Sequence, residues 1–243
     1  MRLVLCEGKH AINALQGLLH SAFACHVAPA ERPEWYRPRS GAGENLFRLE
    51  SPTGIPIFLH SVGGKAQLPT ATRLRLRTER LADNDVLGIC FDPDAQDEAA
   101  WRQAIEQRIT AVGFSPQRFG WHYAAGGAPD ALRVVPFPWH SPSERIPKKL
   151  PNTQSLYRTT AQGLALAFPR RARLINRWTR KAWRCGTPPD WKTVCWFWMA
   201  AWHPETECDH FFRHAFSLAE VHETLRESGN SRPWWDGIGL IAQ

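Results

Sequence analysis

The apolar and polar positions of the first 138 residues fall into two alternating rhythms. Leu3-Val4-Leu5-Cys6 is an unbroken apolar run, the pattern of a strand covered on both faces, and it stops at Glu7-Gly8-Lys9. From Lys9 to about Phe23, Ala11, Ile12, Leu15, Leu18 and Leu19 recur at helical spacing. Residues 26–43, with three Pro and two Gly, read as a loop. Asn45–Glu50 and Ile55–Ser61 alternate as two strands around Pro52-Thr53-Gly54. Gly63-Gly64-Lys65 ends the second of these and leads into a helix over about Leu68–Arg80. Val86–Phe91 is another unbroken apolar strand, ending at Asp92-Pro93-Asp94. A helix over about Asp97–Val112 and a strand over Leu132–Phe137 follow. Alternation of this kind predicts an α/β domain with a parallel or mixed sheet flanked by helices.

Beyond a Pro-rich connection the rhythm becomes helical, with segments near Thr153–Ala167, Arg170–Trp183, Trp191–Trp202, His210–Phe216 and Leu218–Glu227. The expected division is residues 1–140 as the α/β domain and 141–243 as a Trp-rich, basic, mainly helical region packed on it. Most of the 12 Trp fall after Pro138, which fits a different packing unit. Trp191, Trp196, Trp198 and Trp202 read as core and helix-packing residues ahead of base-stacking platforms.

No apolar run reaches the roughly 18–20 residues that cross a bilayer. The first residues enter a strand pattern and not that of a signal peptide, so the expected location is the cytoplasm, with no membrane partner. The six Cys are scattered, none as Cys-x-x-Cys, and read as reduced thiols.

Charge is informative once divided along the chain. The formal net charge is +7, yet residues 1–144 balance to zero and residues 190–243 carry four basic against eight acidic side chains. All of the excess lies in residues 145–189, with 11 basic residues and no acid. A block like this suits a polyanion, nucleic acid being the commonest. Within it, Arg170, Arg171, Arg173, Arg177, Arg180, Lys181 and Arg184 are the candidate contacts. Arg173, Arg177, Arg180 and Arg184 form a stripe down one helical face, and arginine forks suit phosphate oxygens. The rival reading is that this helix neutralises the acidic tail of its own chain or an acidic partner.

In open α/β sheets the ligand site lies outside the carboxyl ends of the strands. Glu7 ends the first strand, and Asp92 and Asp94 end the Val86–Phe91 strand. If these strands are neighbours, three carboxylates converge, and a hard divalent cation is the usual answer to their repulsion. Residues two apart on an extended chain project to one side, so both Asp reach one ion.

Glu-Gly after a first strand, Gly-Gly-Lys after a later one and Asp-x-Asp after a third resemble the Toprim domain. That domain is shared by type IA and type II topoisomerases, bacterial primases, a ribosomal-RNA maturase and the overcoming-lysogenization-defect nucleases, and it occurs in stand-alone bacterial proteins. The resemblance covers residues 1–138 and implies a Toprim-like Rossmannoid sheet. It implies that Glu7, Asp92 and Asp94 hold Mg²⁺ or Mn²⁺, that Glu7 serves as ligand or general acid/base, and that Lys65 meets a phosphate oxygen. Many relatives carry Asp where this chain has Ala11, which puts a second metal in doubt. The three Tyr lie in no cleavage module and the length excludes primase extensions. Metal-dependent hydrolysis of nucleic acid is the expected activity, DNA ahead of RNA. The resemblance further implies an ATPase partner and a part in anti-phage defence. The alternatives are an inactive Toprim scaffold that binds nucleic acid or protein, and a hydrolase of small nucleotides. Cys208, His210 and His214 have partial zinc spacing, which reads more simply as packed or surface side chains.

Overall fold

The computed structural model describes residues 1–29, 45–78, 85–91, 98–111, 114–116, 122–125, 132–138, 156–184, 191–202, 208–227 and 232–243. Eight strands form one sheet: β1 (Arg2–Cys6), β2 (His26–Val27), β3 (Asn45–Glu50), β4 (Pro56–Ser61), β5 (Val86–Phe91), β6 (Phe114–Pro116), β7 (His122–Ala125) and β8 (Leu132–Pro138). Their spatial order is β2-β3-β4-β1-β5-β8-β7-β6. The four central strands are parallel, and antiparallel strands extend the sheet on both sides. The two unbroken apolar runs are the adjacent central strands β1 and β5, which have helices on both faces.

Alternate side chains of β1 enter two separate cores. Leu3 and Leu5 join Leu87, Ile89 and Val134 beneath α2 (Leu68–Thr78) and α3 (Glu98–Thr110). Val4 and Cys6 join Val86, Cys90 and Val135 on the opposite face, against α1 (Lys9–Ala22). The turn between β3 and β4 is tied by Ser51, whose hydroxyl accepts from the amides of Thr53 (3.2 Å) and Ile55 (3.1 Å), while Gly54 takes a positive φ of 79°.

The C-terminal region is helical: α4 (Leu156–Ala167), α5 (Pro169–Arg184), α6 (Trp191–Trp202), α7 (Cys208–Ala215), α8 (Ala219–Glu227) and α9 (Arg232–Ala242). It shares its core with α1 and one sheet face. Consequently α1 is buried over the continuous run Ala11–Leu19, well beyond the stripe that its sequence predicts. Its polar positions Asn13 and Gln16 are 5 % and 4 % exposed, since α7 covers the side turned from the sheet. Gly17 allows that approach, because a Cβ there would collide with the backbone carbonyl of Arg213.

Four elements depart from the sequence expectations. β2 falls inside the expected loop, β6 and β7 extend the sheet beyond α3, and α9 lies where the pattern predicts no element. The first three are strands of two to four residues, too short for alternation to register. In α9, Ile238, Ile241 and Ala242 pack into the core beside α1, over β5 and β8. Among the described residues no helix is long and apolar enough to cross a membrane.

Candidate active site at three strand ends

The site is built by register. Cys6 of β1 pairs with Ser61 of β4 on one side and with Cys90 of β5 on the other. The backbone continues this pairing one residue further, with the Glu7 amide donating to the Cys90 carbonyl (3.1 Å) and the Val62 amide to the Cys6 carbonyl (2.9 Å). Glu7 therefore stands between two strand ends. On one flank the chain runs from Ser61 through Val62 into Gly63-Gly64-Lys65, and on the other from Phe91 into Asp92.

The helices leave these ends in opposite directions. After β1 the chain enters α1 on one face and returns to β4, whereas after β5 it enters α3 on the other face and returns to β8. Neighbouring strands with diverging connections form the topological switch point, the usual crevice for ligands in such sheets.

Local chemistry at the crevice favours access. Glu7 is half-buried, and Gly8, extended at φ −146°, begins α1 without a side-chain cap. Gly63 and Gly64 have φ values of 82° and 132°, which other residues rarely adopt, and they turn the chain into a 3-10 turn at Lys65–Gln67. A Cβ added at Gly8 or Gly64 would meet nothing within 4 Å. The two glycines thus leave backbone open toward the strand ends. The side chain of Lys65, and residues Asp92 and Asp94, lie outside the described residues. Among the described residues no group of three or more His, Cys, Asp or Glu side chains is placed to share a metal ion. The sequence places carboxylates at the ends of β1 and β5, hard oxygen ligands of the kind Mg²⁺ and Mn²⁺ take.

Ala11 is 7 % exposed and packed in the core shared with α1. In this chain that position serves packing, and an acid there would lose its hydration.

The basic candidates lie on one side of α5. Arg170, Arg171, Arg173, Arg177, Arg180 and Lys181 are exposed, while Ala172 and Ile175 are buried on the opposite side. The side chain of Arg184 is outside the described residues. Among the described residues none of the six makes an ion pair. Arg171 instead lies over the rings of Trp202 (5.2 Å) and Phe168 (5.7 Å). Of the tryptophans on α6, Trp198 is buried and Trp202 packs against the core, as expected, whereas Trp196 is 45 % exposed; the side chain of Trp191 lies outside the described residues. His210 and His214 are exposed on α7.

No family model matches the chain, and no curated protein does. Among solved structures, the chain is similar to the crystal structure of a hypothetical protein from Pyrococcus horikoshii OT3. The two share 14 % identity over 98 % of each chain, with a TM-score of 0.66. At that identity the likeness shows a common fold.

Proposed function

We propose that this chain is a Toprim-type, Mg²⁺-dependent phosphodiesterase of nucleic acid. The observation that carries the reading is the register of β1 between β4 and β5. It sets Glu7 at a switch point, flanked by the strand that leads into Gly63-Gly64-Lys65 and the strand that leads into Asp92-Pro93-Asp94.

In this reading Glu7, Asp92 and Asp94 hold the ion, which supplies Lewis-acid polarisation of the scissile phosphate and acidifies an attacking water. Glu7 sits where a general acid/base is needed, half-buried beside open backbone. The left-handed Gly63-Gly64 turn lets the phosphate approach main-chain amides, and Lys65 offsets its charge. The exposed arginines of α5 track the backbone of the substrate, DNA ahead of RNA. A cytoplasmic setting, where the buried Cys6, Cys25, Cys90 and Cys195 stay reduced thiols, is part of this proposal. An ATPase partner and a part in anti-phage defence belong to the same proposal.

Ala11 favours one alternative, a scaffold that binds nucleic acid without cutting it, because a packed apolar residue replaces an acid that many relatives carry. Incubation of wild type, Glu7→Gln and Asp92→Ala with plasmid, single-stranded DNA and RNA separates the two. Cleavage that needs Mg²⁺ or Mn²⁺, stops with chelator and falls at least about 100-fold in both variants supports the enzyme. Binding without cleavage under every condition supports the scaffold. Turnover of mononucleotides alone points to the small-nucleotide hydrolase.

A further inference from the structure

A second site lies away from the strand ends, where α7 crosses α1. A half-open cavity of about 550 Å³ is lined there by Gln16 and His20 of α1, Trp202 of α6, and His210, Arg213 and His214 of α7, among others. Its volume is in the range of small-molecule sites, roughly 300–1,000 Å³. Gln16 is seven residues beyond the start of α1 at Lys9, about 10 Å along the helix axis at 1.5 Å per residue.

Two independent features point to a ligand. The first is the charge and donor character of the walls. Arg213 makes no ion pair among the described residues, three imidazoles surround the same space, and no carboxylate is among the described lining residues. The His20 ring is held in one orientation, because its Nδ1 donates to the Cys25 carbonyl (2.9 Å), and Nε2 is thereby left to accept from a donor on a ligand. The second is Gln16. It is only 4 % exposed, it lines the cavity, and its amide oxygen has no hydrogen-bond partner among the described residues. A buried polar atom without a partner costs stability, and such atoms persist where a ligand satisfies them.

From this we propose that the cavity binds a small phosphate monoester of mononucleotide size. The phosphate engages Arg213, His210 and His214, the organic part rests toward Trp202, and donors on it reach the His20 Nε2 and the Gln16 amide oxygen. Guanidinium and imidazole together suit a phosphate better than an uncharged ligand. The T-shaped contact of Trp202 with His214, ring centroids 5.0 Å apart, holds the aromatic wall and one of the donors in fixed relation.

Isothermal titration of the full chain in the presence of chelator, with 5′-AMP, adenosine and inorganic phosphate, tests this. The expected result is saturable 1:1 binding of 5′-AMP, at least about tenfold tighter than phosphate or adenosine. Arg213→Gln and His214→Ala should each weaken it at least about tenfold, while Glu7→Gln leaves it unchanged, which separates this site from the strand-end site. Gln16→Met, similar in length, should weaken binding and raise the melting temperature, whereas a purely structural glutamine would lower it. Absence of saturable 5′-AMP binding by wild type, undiminished binding in Arg213→Gln, or loss that follows Glu7→Gln instead would overturn the proposal.

Discussion

The amide of Glu7 donates to the carbonyl of Cys90 at 3.1 Å, one residue beyond the last paired positions of β1 and β5. This bond fixes the glutamate backbone against the strand that runs into Asp92-Pro93-Asp94, so its side chain is presented from a rigid element and not from a mobile loop. Rigid presentation is what a metal or catalytic carboxylate needs. If Glu7 shares an ion with the aspartates, Mg²⁺ or Mn²⁺ binds the folded chain and stabilises it by mass action, by about 2.7 kcal/mol at a hundredfold excess over Kd, which raises its melting temperature. Thermal melts of wild type should shift upward with either ion, and Glu7→Gln should not shift. An equal shift in both would leave Glu7 outside the metal site.

A different contact sets how tightly the C-terminal helices close on α1. Helix propensity alone favours Ala over Gly by about 1 kcal/mol, so Gly17→Ala and Gly163→Ala would stabilise isolated helices. In the folded chain a Cβ at Gly17 collides with the Arg213 carbonyl, and one at Gly163 comes within 2.7 Å of the Val221 Cα. Backbone does not yield as a flexible side chain does, and overpacking costs about 1–3 kcal/mol. The clash therefore outweighs propensity. Urea denaturation should show both variants less stable than wild type by about that amount.

These glycines also mark where the sequence ceases to be legible. The strand ends are readable because each motif follows an apolar run, whereas the adjacency of β1 and β5 is a condition that only the register meets. The burial of α1 is not readable, since Asn13, Gln16 and Gly17 look like a solvent face until α7 is placed over them. Likewise α9 begins with Arg232-Pro233-Trp234-Trp235 and carries two Gly, so its periodicity is weak. It is helical because the sheet beside α1 needs covering, and tertiary context of that kind overrides propensity. The cavity lined by Gln16 and Arg213 escapes for the same reason: its residues come from α1 and from α6 and α7, which lie at the other end of the chain. Lone histidines carry no signal for it.

His222 offers a test by pH. It is 9 % exposed, and its Nε2 donates to the Phe216 carbonyl at 2.8 Å, with the Ser21 hydroxyl at 3.2 Å. Burial pushes its pKa below the usual histidine value, nearby Arg226 pushes the same way, and the Phe216 carbonyl and Glu220 oppose them. The unfolded chain takes up a proton near pH 6.5, the folded chain only lower, so protonation favours unfolding. Stability contributed by neutral His222 is complete above about pH 6.5 and is lost as pH falls toward the folded pKa. Urea midpoints should therefore fall from pH 7.5 to pH 5.5 in wild type, and fall less in His222→Gln. A parallel decline in both would assign the effect to other groups.

The exposed face of α5 makes the remaining prediction, and it turns on separating two sources of the same charge. A stripe that meets a nucleic-acid backbone releases counterions on binding, so log K falls with log salt in proportion to the phosphates engaged, with a slope of about 0.9 for each on duplex DNA. A stripe that meets acids of its own chain would contribute to folding instead. Arg173 and Arg177 are exposed and make no ion pair among the described residues. Arg173→Glu/Arg177→Glu should accordingly leave the melting temperature near wild type, weaken nucleic-acid binding evenly across sequences, and lower the salt slope by about 1 for each phosphate no longer engaged. Arg171 differs from these two, because its guanidinium lies over Trp202 and Phe168. Arg171→Ala should cost stability as well as affinity, about 0.5–1 kcal/mol for an exposed cation–π contact. A double charge reversal that destabilises the fold and leaves the salt slope untouched would return the stripe to an internal electrostatic role.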